Sequence, residues 1–263
     1  MADLKALIFD VDGTLAETER DGQRVAFNQT FKAAGLDWHW SIPLYGQLLS
    51  VSGGKERMRY YLKREQPPLP DGIDINRLIP DLHRTKTQHY RALVESGQIQ
   101  LRSGIRRLLV SARAKGIRLA IATTSHLDNA LALLETTLGP DAPSWFEVIA
   151  AGDIVPHKKP APDIYQYVLD KLQLSSKHCL VFEDTEHGLV SANGVGLRTV
   201  ITVNDYTRQQ NFANAAQVLE HLGEPGQPTR ALAGPALSKG YFNLAAAERL
   251  LEPSPAYQPK VAA

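Results

Sequence analysis

Two carboxylates stand two residues apart in FDVDGT, where Asp10 and Asp12 follow an apolar run. If the backbone stays extended to that point, both side chains lie on one side of a strand. Gly13 then permits a sharp departure. Close carboxylates repel, so such a pair favours a cation or a shared proton. A strand ending in an Asx-type turn is the competing reading, and taken alone the two stand even. A second acidic pair, Glu183 and Asp184, follows another apolar run in FEDTEHG. Paired acids from both strand ends in one crevice would be very unfavourable without a metal. All-oxygen ligation points to Mg2+ rather than zinc.

Other clusters suit an anion. ATTSH places the hydroxyls of Thr123, Thr124 and Ser125 after an apolar run, with backbone N–H groups opening a helix. In HKKPAPD, Pro160 and Pro162 fix a loop from which Lys158 or Lys159 can reach the site as a point charge. Singly, a Thr cluster is more often a helix cap and a lone Lys a solvated surface. Their order across successive strand ends is far more specific than any one piece.

These groups need elements to hold them. Short apolar runs at 4–9, 118–123, 147–151, 179–182 and 199–203 predict buried strands. Helical spacing lies between the later ones. Ile105, Leu108, Leu109 and Ala112 share a face before Gly116; Leu127, Ala130, Leu131 and Leu134 share one before Gly139; Ile164, Val168 and Leu172 share a third. The alternation predicts an α/β fold, a Rossmann-like parallel sheet with ligands at the strand ends. Residues 17–98 break the rhythm. They carry helical stripes (Phe27, Phe31 and Ala34; Met58, Tyr61 and Leu62), the Pro-rich QPPLPDG and a helix near 78–94. We expect a core of 1–16 and 99–223, with 17–98 inserted as a helical cap able to close over the sheet. Residues 224–263 form an extension with one docked helix at 242–251 and a disordered final dozen.

The chain has 263 residues, with 29 Lys+Arg against 28 Asp+Glu and a formal net charge of +1. A hydrophobic share of 43% argues for a packed globular protein. So balanced a charge gives no broad field for nucleic acid or anionic lipid. No apolar run approaches the roughly 20 residues of a membrane span. MADLKALIFD has no long apolar signal core, and the single Cys179 forms no internal disulfide, so we expect a cytoplasmic protein. Cys179 reads as strand packing, Trp38 and Trp40 as cap core and His126 as a helix cap. His178, His187 and His221 lack metal-ligand spacing.

DVDGT, the Thr/Ser group at a second strand end, KPAPD and the ED pair resemble, in order over residues 10–184, the four motifs of the haloacid dehalogenase-like phosphohydrolase superfamily. The helical insertion resembles its first (C1) cap subclass, which includes β-phosphoglucomutase and phosphoglycolate phosphatase. LAETE, GGKER, HRTKT and LGEPG are closer still to the CbbY-type sugar-bisphosphate phosphatases. The resemblance implies Asp10 as nucleophile and Asp12 as general acid–base. It implies Mg2+ held by Asp10, the Asp12 carbonyl and the Glu183/Asp184 pair, with Asp184 favoured as the closest acidic ligand. Thr123, with Thr124 and Ser125 beside it, and Lys159, the lysine directly before Pro160, would hold the transferring phosphoryl group.

In the cap, the backbone of Gly53 and Gly54 with Lys55 and Arg57 would grip a second phosphate. His83, Arg84 and Lys86 add donors, and Glu17 would accept from sugar hydroxyls. The plainer reading of GGKER is a loop opening a solvated helix. The implied substrate is xylulose 1,5-bisphosphate, an inhibitor of Rubisco in the Calvin cycle, cleaved at its 1-phosphate by a monomer. Another small ester such as phosphoglycolate is an alternative. So is a β-phosphoglucomutase-like mutase, although such mutases carry a cap His where ETERDGQR has Gly22. A non-catalytic protein on this fold is opposed by the complete set Asp10, Asp12, Thr123, Lys159 and Asp184.

Overall fold

The computed structural model describes residues 3–70 and 72–252. Among them a seven-stranded sheet runs in the order β3-β2-β1-β4-β5-β6-β7. Its strands are β1 (Ala6–Phe9), β2 (Arg118–Thr123), β3 (Phe146–Ala151), β4 (Cys179–Glu183), β5 (Arg198–Thr202), β6 (Gln217–Leu219) and β7 (Ala231–Ala233). Strands β1 to β6 are parallel, and β7 returns antiparallel along the edge. The central strand β1 is wholly buried, as a near-continuous apolar run in a parallel sheet requires.

Helices cover both faces. Helices α5 (Ile105–Ala114), α6 (Leu127–Leu138) and α9 (Leu244–Leu251) join one hydrophobic cluster with Leu7, Phe9 and Leu119. Helix α7 (Asp163–Leu172) packs with Ala6, Ile8 and Val181 on the other face, where Ala192 of α8 (Glu186–Asn193) joins it. Between β1 and α5 come α1 (Arg24–Ala33), α2 (Ile42–Leu48), α3 (Gly54–Glu65) and α4 (Ile75–Glu95). They surround their own core of Phe27, Phe31, Trp38, Trp40, Tyr45 and Tyr61. Trp38 and Trp40 thus sit in the cap core, as their sequence suggests.

Some expectations need adjustment. Residues 224–252 hold more than one docked helix: they also supply β7, which the Pro- and Gly-rich composition concealed. β6 is also an addition to the expected strands: three residues are too short a run to show a periodicity. Leu127 opens α6 and points outward at 42% exposure, whereas Leu133 takes the buried position. Ala34 lies past the end of α1 and is exposed. The expected disorder of the final dozen falls almost wholly outside the described residues.

Candidate active site

β1 and β4 are neighbours in register, Phe9 opposite Phe182, with their rings stacked at 4.6 Å. That register brings Asp10 and the pair Glu183/Asp184 out side by side. The Asp10 N–H donates to the Phe182 carbonyl at 3.0 Å. On the other side of β1, β2 delivers Thr123. The loop from β3 to α7 supplies Lys159. Its Nζ donates to Asp10 Oδ1 at 2.7 Å, Glu183 Oε1 at 2.5 Å and the Ala122 carbonyl at 2.8 Å. Tyr165 of α7 donates its hydroxyl to the same Glu183 oxygen at 2.6 Å. Asn204, just past β5, donates Nδ2 to Asp184 Oδ2 at 2.7 Å.

The loop turns sharply at Gly13, at φ 80°. A Cβ there would overlap the Asp184 carboxylate, so both φ and space demand glycine.

Asp10, Glu183 and Asp184 are buried and each offers an oxygen within 4.8 Å of the others. Burial pushes the Asp10 carboxyl well above the usual range; Lys159 pulls it down and Glu183 pushes it further up. Burial raises Asp184 in the same way, reinforced by Asp10 and Glu183. Buried carboxylates in mutual repulsion with all-oxygen chemistry fit a hard divalent cation. Asp12 is aimed elsewhere. Its Oδ1 accepts from Thr18 Oγ1 and from Gln23 Nε2, the latter at 2.8 Å. Its carboxylate therefore stands apart from the acidic triad, towards the cap.

A cavity of about 250 Å3 lies over these groups. Asp10, Asp12, Thr123, Thr124, Lys159 and Asp184 line its core side; Glu19 and Arg57 come from the cap. Arg57 is buried, donates Nη1 to the Tyr45 hydroxyl at 2.8 Å and stands 3.9 Å from Glu19. Tyr45 in turn donates to Glu19. The buried Nε of Arg57 has no hydrogen-bond partner, and neither has the Tyr206 hydroxyl, another residue of the lining. Arg57 thus presents its guanidinium to the cavity, while its Nε is buried without a partner.

The other cap residues singled out from the sequence divide. Lys86 is buried beneath the site, over the rings of Phe27 and Tyr90, and donates to Gln23 Oε1. Burial lowers its pKa to about 8. Gln23 thus links Lys86 to Asp12, and it also donates to Ser125 Oγ at 3.2 Å. The ring of His83 abuts Gly54, and Gly53 packs on Glu56 and Lys158. Of the cap residues expected to meet substrate, Arg57 alone is in the lining, and three charged ones are paired elsewhere. Glu17 pairs with Arg102 at 2.9 Å, Arg84 pairs with Asp81 on exposed helix surface at 2.6 Å, and Lys55 is held by Asp153 at the rim. Each is drawn off by a nearer opposite charge.

Glu19 ends the LAETE motif but was not singled out from it, and Gln23, Tyr45, Asn204 and Tyr206 belong to none of the quoted motifs used to assign site residues. His187, read as unremarkable, lines the cavity and meets Ser52 of the cap at 3.3 Å.

A family model described as haloacid dehalogenase-like hydrolase matches residues 4–196. The chain is 50% identical to protein CbbY of Rhodobacter capsulatus, over 81% of this chain and 91% of that protein. It is 44% identical to plasmid-borne protein CbbY of Cupriavidus necator, over 86% and 88%. The crystal structure of CbbY from Rhodobacter sphaeroides in complex with phosphate superposes with a TM-score of 0.79 at 44% identity, covering 85% of this chain and 96% of that one. An aspartate-to-asparagine mutant of that protein, crystallised with xylulose 1,5-bisphosphate, matches at the same TM-score and 43% identity, with the same coverage.

Proposed function

Because the chain belongs to the haloacid dehalogenase-like hydrolase family and is a phosphatase with CbbY relatives, we propose that it removes the 1-phosphate of xylulose 1,5-bisphosphate with Mg2+, through an aspartyl phosphate. The observation that carries this is the pairing of Lys159 with Asp10 under a cavity whose cap wall holds a buried, unpartnered Arg57 nitrogen. One end of the cavity suits a phosphoryl group in transfer and the other a second anion. The bisphosphate bound by the R. sphaeroides relative has that character.

In this mechanism Lys159 holds one carboxylate oxygen of Asp10 and orients the nucleophile. A carboxylate oxygen of Asp10 attacks phosphorus as the bond from phosphorus to the sugar oxygen breaks. Asp12 gives its proton to the leaving sugar oxygen. It then takes a proton from the water that attacks the aspartyl phosphate, restoring the Asp10 carboxylate and releasing inorganic phosphate. Gln23 and Thr18 hold Asp12 at its post. Lys159 and the Thr123 hydroxyl offset charge on the phosphoryl oxygens. Asp10 and Asp184 would hold Mg2+, with Glu183 braced behind them by Lys159 and Tyr165; when bound, the ion supplies further positive charge against the phosphoryl oxygens.

The test is phosphate release with Mg2+ from xylulose 1,5-bisphosphate, ribulose 1,5-bisphosphate, fructose 1,6-bisphosphate and phosphoglycolate, with Asp10→Asn as control. Xylulose 1,5-bisphosphate should give the highest kcat/KM and Asp10→Asn none above background. A preference for phosphoglycolate, or an active Asp10→Asn, overturns the proposal.

A further inference from the structure

Arg102 lies on the return linker from the cap, outside the motifs and outside the cavity lining. Its backbone N–H donates to the Leu15 carbonyl at 2.9 Å, and Leu101 bridges Ala16. The outgoing and returning linkers of the cap therefore run side by side. The side chain is 6% exposed. A guanidinium carries five N–H donors in a rigid plane, and here the four on Nη1 and Nη2 all donate to main-chain carbonyls. Nη1 donates to the carbonyls of Gly13 and, at 2.9 Å, Thr202. Nη2 donates to those of Val203 at 2.6 Å and Glu220 at 2.8 Å. Nε lies 2.9 Å from Glu17 Oε1.

Those acceptors are not scattered at random through the fold. Gly13 belongs to the loop that carries Asp10 and Asp12. Thr202 and Val203 lead directly into Asn204, whose amide holds Asp184. Gly13 and Asp184 are already so close that no Cβ fits between them. Glu17 lies on the linker that leads out to the cap. One planar cation thus joins the nucleophile loop, the segment that steadies Asp184 and the cap linker, without touching the cavity itself.

We infer that Arg102 is a positioning residue for the phosphoryl-transfer site: it sets the spacing between the Asp10 loop and Asp184, and through Glu17 it ties that spacing to the cap linker. A lysine here would keep the charge but lose the fork, because an ammonium is a point donor with three N–H groups. Misplacement of reacting groups by about 1 Å can cost on the order of 10²-fold in rate. Loss of an outer-shell partner weakens metal binding by roughly 10- to 100-fold.

The inference rests on the phosphatase reading only for its kinetic arm. The experiment compares Arg102→Lys with Arg107→Lys. Arg107 is a similarly forked arginine that ties Glu224, Gly223 and Phe242 together away from the cavity. Three quantities are measured: kcat and KM on p-nitrophenyl phosphate, Mg2+ affinity by calorimetry, and amide hydrogen exchange over residues 10–16. Arg102→Lys should lower kcat about 10²-fold with KM little changed, weaken Mg2+ by roughly tenfold, and speed exchange over 10–16. Arg107→Lys should leave all three alone while lowering the melting temperature.

If Arg102→Lys fails to fold, Glu17→Ala removes the exposed partner instead; it should shift Mg2+ affinity and exchange in the same direction by less. A folded Arg102→Lys with native kcat and Mg2+ affinity overturns the inference. So do equal losses in the two arginine variants, or an inert Glu17→Ala standing in for a variant that did not fold. A wild-type protein without phosphatase activity would sink the functional proposal instead, leaving the calorimetric and exchange arms to judge Arg102.

Discussion

Arg57 is where the length of the substrate should register. Its guanidinium lines the cavity that also holds the nucleophile, opposite the core side. A phosphate oxygen arriving there would accept a charge-assisted hydrogen bond worth about 1.5–3 kcal/mol. At about 1.36 kcal/mol per decade, Arg57→Met should cost roughly 10- to 150-fold in kcat/KM for a bisphosphate. p-Nitrophenyl phosphate has no second phosphate to offer, so its kcat/KM should fall by no more than about threefold, the scale of lost packing around the site. The variant should also melt earlier, since Glu19 and Tyr45 lose the cation between them.

Lys55→Met is the matched control. Its ammonium is taken by a half-exposed Asp153 at the rim, a kind of pair worth about 0–1 kcal/mol. It should therefore change either substrate by less than about fivefold, by the same conversion. The assay is Mg2+-dependent phosphate release from xylulose 1,5-bisphosphate and from the monoester, each over a full concentration range. Equal losses on both substrates in Arg57→Met would refute the second-anion role. So would a selective loss in Lys55→Met and none in Arg57→Met.

Gln23→Leu should lower kcat by roughly 10- to 100-fold, within the range general acid–base groups contribute, because Asp12 loses its 2.8 Å donor; an unchanged kcat would remove Gln23 from the chemistry. Gly188→Ala would drive a methyl into the Glu183 carboxyl, which Lys159 and Tyr165 hold in place. A melting shift equivalent to about 1–3 kcal/mol, with slower turnover, is expected, and a variant like wild type would show that Glu183 is free to move. The pKa of His83 is pushed down to about 4 by burial, with Lys86 and Lys55 adding to it. Between that value and 6.5 the unfolded chain binds a proton the folded chain refuses, so stability falls as the pH drops through this window, by up to about 3 kcal/mol. His83→Gln should flatten that part of the melting-temperature profile; an unaltered slope would contradict the assignment.

The core chemistry was legible because it sits where apolar runs stop. Asp10 and Asp184 each follow a buried strand and Thr123 ends one, and β1 to β5 carry the β-branched, apolar pattern that marks such strands. The cap was harder. Lys55 and Arg84 look like anion ligands in a string of letters, yet each has a carboxylate near at hand in the fold. Gln23 and Arg102 work through partners dozens of residues away or through main-chain carbonyls, and no spacing rule announces that. Tyr206 reaches the cap from beyond β5, which only the folded chain reveals.

Besides the Ser52–His187 and Gln23–Ser125 hydrogen bonds, the helical insertion meets the rest of the enzyme through ion pairs and through an aromatic contact. At the rim Lys158 bridges Glu56 and Asp153, close to the Lys55 pair. Further in, Tyr45 meets Tyr206 edge to face at 6.1 Å. Dissolved ions weaken the first kind and barely affect the second. Ionic strength should therefore act as a dial on how firmly the lid sits, easing its edge while leaving the aromatic contact as the pivot.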